Sequence, residues 1–146
     1  MIKKCGTKES KYITNFFIEK YGLKKELFKK NSFYVNQKEI VFLGPKNILP
    51  GLNITSIGIF VLRKDIMKPS SNFFQLFGKE VTKKFIEVSK DQAKDYVAGK
   101  DLEINTKENG YVLVRYDKFS LGCGFVKEGV LVNMLPKPRM VTLKFF

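Results

Sequence analysis

The chain has 146 residues, 44% of them apolar, and its 27 Lys and Arg residues exceed its 14 Asp and Glu residues to give a formal net charge of +13. This length and apolar content fit one globular unit or two small ones packed together, and the absence of His excludes Ser-His-Asp and Cys-His catalysis and the usual His-bearing zinc sites. Two cysteines, Cys5 and Cys123, are too few for a four-thiolate metal site, so we expect no metal, no cofactor and a reducing cytoplasmic setting.

The first pattern along the chain is that of an amphipathic helix, with apolar side chains at three- and four-residue spacing and Gly22 placed to end it. Its apolar positions are Ile13, Phe16, Phe17 and Tyr21. Leu23, Leu27 and Phe28 predict a second, short helical piece.

The pattern then changes to that of strands. Residues 33–35 and 40–43 flank a polar segment of hairpin length, 36–39. A loop rich in Pro and Gly at 44–51 precedes a buried strand at 57–62.

We place a change of unit near residue 65, because the segment that follows carries Pro69 and two serines. This gives an N-terminal unit at 1–65 and a C-terminal unit at 66–146. A short helical turn then carries aromatic side chains that we expect to pack between the two units. Its apolar positions are Phe73, Phe74, Leu76 and Phe77.

The C-terminal unit predicts one helix and several short strands. Ser89 and Gln92 have the spacing of a capping box, and the helix that they begin stops at Gly99. Strands are predicted at 86–88, 102–104, 111–116, 121–126, 130–133 and 140–145. Short strands at such close intervals are typical of a small β-barrel or a curled sheet.

The common enzyme signatures are absent from the sequence, which has neither a P-loop nor a Gly-x-Gly-x-x-Gly motif. Gly122-Cys123-Gly124 lies within a strand pattern. It indicates a reactive thiol, a backbone that a ligand approaches closely, or a strand with a tight bend or bulge. The longest apolar runs are too short to cross a membrane, and no apolar signal region follows the N-terminal lysines, so we expect no membrane partner.

The charge favours a polyanionic partner. The alternative is an organism that uses Lys as its default surface residue, since only three basic residues are Arg: Arg63, Arg115 and Arg139. Basic residues outnumber acidic ones on both sides of Asn72, so a basic surface would belong to the folded body rather than to a tail.

The C-terminal unit resembles a known family of domains. The segments that carry the resemblance are 110–116, then Leu-Gly-Cys-Gly-Phe at 121–125, then 130–133 and Pro-Lys-Pro-Arg at 136–139. In this order they are similar to the end of a PUA-type RNA-binding domain, and more narrowly to the PUA-like tail of Sun-type RNA 5-methylcytosine methyltransferases. The likeness extends over roughly 66–146.

The chain departs from those methyltransferases in its first half. Residues 1–65 are too few for a domain that binds a methyl donor, and neither cysteine lies in the Pro-Cys or Thr-Cys setting of the family's catalytic residue. The first half is similar in size and layout to the pre-PUA α/β domain of small ribosome-biogenesis factors. Together the two likenesses imply an α+β protein in which a pre-PUA-like domain packs on a PUA-like barrel.

The resemblance also implies an RNA-binding groove bordered by the helix and the glycine-bearing strand, where cations meet phosphates and glycine permits close approach. The candidate RNA-binding residues are Arg63, Lys64, Lys79, Lys83, Lys84, Gly122, Gly124, Lys137 and Arg139. For each lysine the alternative is a solvated surface charge. Tyr116 and Phe119 are candidates for base stacking or for plain packing.

The sequence thus predicts a non-catalytic protein that binds structured RNA, tRNA or rRNA, as an accessory to RNA modification or maturation. Its expected partners are that RNA and an RNA-modifying enzyme. One alternative is a ribosome-assembly factor that binds a protein partner as well as rRNA, which an extended apolar patch on the first unit would favour. The other is an enzyme, which would require a reactive Cys123 or carboxyl groups with displaced pKa values.

Overall fold

The computed structural model describes residues 2–47 and 57–136, which form an α+β fold with two five-stranded sheets. The first sheet is an antiparallel meander in which the strands lie side by side in chain order. Its strands are β1 (Lys3–Lys4), β2 (Asn31–Val35), β3 (Ile40–Pro45), β4 (Ile59–Arg63) and β5 (Lys68–Pro69).

Helix α1 (Thr7–Tyr21) confirms the first predicted element, because it buries Ile13, Phe17 and Tyr21 on one face and ends at Gly22. Gly22 has a φ of 67°, the left-handed conformation that glycine adopts most readily. The predicted short helical piece is one 3₁₀ turn at Lys25–Phe28.

The predicted hairpin is confirmed, with β2 paired to β3. Gly44 and Pro45, which we predicted to begin a loop, are instead the last two residues of β3 and pair with β2. That prediction was wrong because Pro45 ends the strand, where its missing N–H interrupts no further pairing. The rest of the predicted loop, at 48–51, lies outside the described residues.

Helix α2 (Ser71–Phe77) confirms the predicted short helical turn that carries aromatic side chains. The hydroxyl of Ser70 caps it by accepting a hydrogen bond from the backbone N–H of Phe73 at 3.0 Å. Strand β5, at residues 68 and 69, pairs with β4, so the first sheet extends past residue 65.

The second sheet has the strand order β6-β8-β9-β10-β7. Its strands are β6 (Phe85–Glu87), β7 (Leu102–Glu103), β8 (Gly110–Tyr116), β9 (Phe119–Lys127) and β10 (Val130–Asn133). Helix α3 (Lys90–Val97) follows β6 and has the predicted capping box of Ser89 and Gln92. The predicted strand at 140–145 lies outside the described residues.

Strands β6 and β8 are parallel, while the other neighbours in this sheet are antiparallel. A parallel pair requires a long crossover, here supplied by α3 and β7. The register of β8 against β9 shifts between Val114 and Arg115, which curls the sheet at this point.

The larger of two apolar cores joins the two sheets through α1 and α2. The ring of Phe73 on α2 stacks on that of Phe17 on α1, with centroids 4.4 Å apart. The hydroxyl of Tyr21 donates a hydrogen bond to the carbonyl of Tyr111 on β8 at 2.8 Å. The C-terminal end of α1 is therefore fixed against the first residues of β8.

Candidate nucleic-acid interface

Two of the predicted lysines, Lys83 and Lys84, lie where the chain leaves α2 and passes the C-terminal end of α1. The backbone N–H groups of Thr82 and Lys83 donate to the carbonyl of Tyr21 at 2.9 and 3.2 Å. These bonds satisfy an end carbonyl of α1 and place the lysines beside Lys20 in its last turn. Cations are favourable at this end because the helix dipole is negative there.

Lys84 is half-buried, and its Nζ donates a hydrogen bond to the carbonyl of Asn109, just before β8. Burial, and then the positive charge of Lys20, lower the pKa of the Lys84 amine, and these effects outweigh the opposing influence of Glu108. Within residues 2–47 and 57–136, no carboxylate forms an ion pair with Lys20, Lys83 or Lys84. The two amines Lys20 and Lys84 therefore repel each other, and the negative charge of Glu108 offsets this repulsion only in part.

Beside these amines runs an open groove of about 510 Å³ between α1 and the start of β8, which we call the α1 groove. Its lining contains no acidic side chain among the described residues. The lining residues are Tyr12, Phe16, Lys20, Tyr21, Ile66, Met67, Lys84, Asn109, Gly110 and Tyr111. The first three follow each other at four-residue spacing, so they form a stripe on one face of α1.

Apolar groups in the α1 groove are unusually accessible. Tyr12 is 56% exposed and Ile66 is 45% exposed, and both belong to the small set of large apolar side chains that the described part of the chain leaves in solvent. Phe16 is half-buried behind Tyr12 and meets the ring of Tyr21 edge to face at 5.8 Å. The groove thus combines aromatic faces with positive charge.

The other predicted cations are placed differently. Lys79 is exposed on the 3₁₀ turn Gly78–Glu80. Arg63 pairs with Asp65 at 3.0 Å. Lys64 pairs with Glu9 at 2.5 Å and with Glu39 at 3.9 Å, so protein carboxylates already compensate its charge. Lys137 and Arg139 lie outside the residues that the structure describes.

The predicted close approach at Gly122 and Gly124 is made by the protein's own side chains. Both glycines are buried. A Cβ atom on Gly122 would lie 2.7 Å from the hydroxyl of Tyr96, and one on Gly124 would lie 2.8 Å from a methyl carbon of Leu131. The glycines therefore give α3 and β10 room to pack on β9, and their part in RNA binding stays a prediction.

Cys123, between the two glycines, is completely buried. Its backbone N–H donates to the hydroxyl of Ser71 at 3.0 Å, and its carbonyl accepts from the hydroxyl of Tyr96 at 2.6 Å. Burial raises the pKa of its thiol to about 12, so the thiol is protonated at neutral pH. Since the thiolate is the nucleophile, this environment is that of a structural cysteine.

Phe119, one of the two predicted stacking residues, is 39% exposed at the β8–β9 turn, and the amine of Lys118 lies 5.8 Å from its ring centre. Tyr116 is half-buried beside the core of the second sheet. Stacking and plain packing remain the two alternatives for these rings.

Sequence reasoning missed Tyr12 and Lys20. The signal that was available is the four-residue spacing of Tyr12, Phe16 and Lys20, which we interpreted only for the apolar face of the helix. The charged and aromatic stripe beside that face is visible in the sequence, but the wall opposite it is formed by residues far along the chain.

No helix in the described ranges is long and apolar enough to cross a membrane. Across the same ranges, no group of three or more Cys, Asp or Glu side chains is arranged to hold a metal ion.

Comparison with known proteins found a match that covers the strands of the second sheet. No curated protein matched the chain. Residues 83–141 match the family model described as the methyltransferase RsmF PUA domain, a match that begins at Lys83 beside the α1 groove and includes α3 and β6 to β10. A PUA domain implies RNA binding in general, and the family also bears out the expected α+β fold with a curled second sheet. The predicted resemblance of the C-terminal unit to the PUA-like tail of Sun-type methyltransferases is therefore confirmed over residues 83–141.

Proposed function

We propose that the protein binds structured RNA, tRNA or rRNA, as a non-catalytic accessory to RNA modification or maturation. The observation that carries the proposal is the PUA family match at residues 83–141 in a chain with a net charge of +13. The family's domain is a tail attached to a methyltransferase, and the match here is to that tail. An RNA-modifying enzyme is accordingly the proposed partner.

The cations that would meet phosphate are the exposed Lys20, Lys79 and Lys83, together with Lys84 at the rim of the α1 groove. Each lacks a carboxylate partner within the described residues, so each can neutralise phosphate without first breaking an ion pair. Lys137 and Arg139 remain part of the proposed site. Arg63 and Lys64 would extend it only by exchanging Asp65 and Glu9 for phosphate.

Two features support a non-catalytic role. Burial raises the pKa of the thiol of Cys5 to about 12, as it does for Cys123, which leaves neither thiol activated at neutral pH. Among the described carboxyl groups, Glu9 has a displaced pKa, and the hydrogen bond from Lys64 lowers it. A lowered carboxyl pKa is the mark of an ion pair rather than of a general acid.

The proposal is tested by measuring affinity for a folded tRNA, an rRNA fragment and duplex DNA over a series of salt concentrations. We expect a preference for one structured RNA that persists near physiological salt, above the non-specific attraction that +13 charges give to any polyanion. Equal affinity for the three nucleic acids, lost together as salt rises, would show that charge acts alone.

The site is tested with the double variant Lys20→Glu/Lys83→Glu, since both side chains are exposed. We expect weaker RNA binding and a salt slope lower by about one for each phosphate contact removed. Lys25→Glu/Lys38→Glu makes the same change of charge at exposed positions outside the groove and serves as the matched control. Equal loss in both double variants would contradict the site, and Lys137→Glu/Arg139→Glu tests the C-terminal cations in the same way.

A further inference from the structure

We propose that the α1 groove binds one unpaired nucleotide of RNA, with its phosphate between Lys20 and Lys84 and its base against the ring of Tyr12. This inference rests on the proposed function, because it assumes that RNA is the ligand. It goes further by assigning a nucleotide site to the junction of α1 with the PUA domain and by specifying an unpaired nucleotide as its occupant.

The shape of the α1 groove suits a ligand of this size. Its volume of about 510 Å³ falls within the range of roughly 300–1,000 Å³ that small-molecule sites occupy. The stripe of Tyr12, Phe16 and Lys20 on α1 lines the groove together with Met67 and Tyr111, which belong to other parts of the chain. The hydrogen bond from the hydroxyl of Tyr21 to the backbone carbonyl of Tyr111 holds α1 against β8 beside the groove.

The aromatic side of the groove includes the exposed ring of Tyr12, on which a base could stack. Tyr12 is 56% exposed although it lies next to Phe16 on the same helical face, and Ile66, which also lines the groove, is 45% exposed. Exposed apolar side chains that share one concave surface indicate a binding site more strongly than the same side chains scattered singly. A nucleobase stacked on Tyr12 would cover both, whatever the identity of the base.

The positive charges of Lys20 and Lys84 at the other end of the groove favour the binding of an anion. Lys20 and Lys84 repel each other, and the nearest acidic influence on Lys84, that of Glu108, is weaker than this repulsion. The Nζ of Lys84 is held in place by the carbonyl of Asn109, which leaves further protons of the ammonium group to donate. A phosphate between the two amines would turn their repulsion into two attractive contacts.

The nucleotide must be unpaired because its base would stack on the exposed ring of Tyr12. In a duplex both faces of a base are covered by its neighbours, so only a base from a loop, a bulge or an end can stack on a protein ring. The ring of Tyr12 lies in a groove rather than on a protruding edge, so a base must leave its helix to reach it. A regular duplex would contact the lysines and leave the aromatic wall empty.

The experiment compares two RNAs with the same duplex sequence, one of which carries a single bulged nucleotide. We expect the wild-type protein to bind the bulged RNA more tightly than the regular duplex. Tyr12→Ala should lower the ratio of the two affinities about tenfold, because the base can no longer stack on an aromatic ring. Tyr12→Phe keeps the aromatic face and should keep the preference. Leu76→Ala, which truncates a side chain that is 57% exposed outside the groove, should also keep it.

A second measurement follows the bulged base itself. With 2-aminopurine as the bulged base, stacking on Tyr12 should change its fluorescence on binding in the wild type and in Tyr12→Phe, and Lys20→Ala should weaken that complex more than the duplex complex. Wild-type binding without preference for the bulge, or a preference that survives Tyr12→Ala, would overturn the inference while leaving RNA binding intact. Failure of both RNAs to bind near physiological salt would instead overturn the proposed function, and this inference with it.

Discussion

Gly124 on β9 has no side chain, and this allows the core of the second sheet to pack tightly against it. A Cβ atom at this position would lie 2.8 and 2.9 Å from two side-chain carbons of Leu131 and 3.2 Å from a methyl carbon of Val114. Leu131 and Val114 are fully buried, so neither can move into solvent. We expect Gly124→Ala to lower the free energy of unfolding by about 1–3 kcal/mol, as over-packing of a core usually does.

Urea denaturation followed by far-UV circular dichroism measures this loss. Gly6→Ala is the matched control, because a Cβ atom at Gly6 meets nothing within 4 Å and the backbone there has an ordinary φ of −68°. Its effect should be limited to the modest cost of Ala at a helix N-cap. Equal stability of Gly124→Ala and the wild type would contradict the packing role that we assign to this glycine.

The ion pair of Lys64 with Glu9 makes stability depend on pH in a defined direction. The hydrogen bond from Lys64 lowers the pKa of the Glu9 carboxyl below its usual 4.5. A carboxyl whose pKa is lower in the folded state stabilises the fold above its unfolded pKa, and this stability is lost as the pH falls through the folded value. Because both side chains are partly exposed, the contribution is about 1 kcal/mol or less.

We therefore expect Glu9→Gln to be less stable than the wild type at pH 7, and the difference to shrink toward zero as the pH falls from about 5 to 3. Urea midpoints at several pH values measure this difference. Glu26→Gln, whose carboxylate lies 4.0 Å from the exposed Lys29, is the control and should change stability little at any pH. A difference for Glu9→Gln that stays constant down to pH 3 would contradict the assignment.

At the scale of elements, most helices and strands were predictable because their signals are local. Gly22 ends α1, and Ser89 with Gln92 begins α3, because a cap needs only residues within a few positions of itself. The β8–β9 and β9–β10 turns were also predictable, since alternating apolar residues flank short polar segments. Pairing of such strands follows directly from chain order.

Features that depend on distant parts of the chain escaped prediction. The parallel pairing of β6 with β8 spans α3 and β7, and periodicity carries no information about such a crossover. The α1 groove likewise combines Lys20 with Lys84 and Asn109, which are brought together only by the docking of α1 on the second sheet. For this reason the sequence identified Lys83 and Lys84 as candidates but not the aromatic wall beside them.

At the scale of the whole molecule, the boundary near residue 65 remains a prediction. Residues on both sides of this boundary pack in one apolar core, which determines how the two predicted units should unfold. Phe73 and Phe74 of α2 are fully buried, and they contact Phe17 and Tyr21 of α1 with ring centroids 4.4 and 5.3 Å apart. Leu113 and Cys123 of the second sheet belong to the same core. Two units that share one core are expected to unfold together, because neither can expose these rings without losing most of its own apolar contacts.

We therefore expect a single urea transition for the full chain, with far-UV circular dichroism and tyrosine fluorescence coinciding, and a fragment of residues 66–146 that does not unfold cooperatively. Phe73→Ala should lower the stability of the one transition by about 3–5 kcal/mol without splitting it. Leu76→Ala, on the same helix but 57% exposed, should change stability by less than about 0.5 kcal/mol. Two resolved transitions, or a fragment as stable as the full chain, would show that the second sheet folds independently, and that α1 joins it only as a docked neighbour.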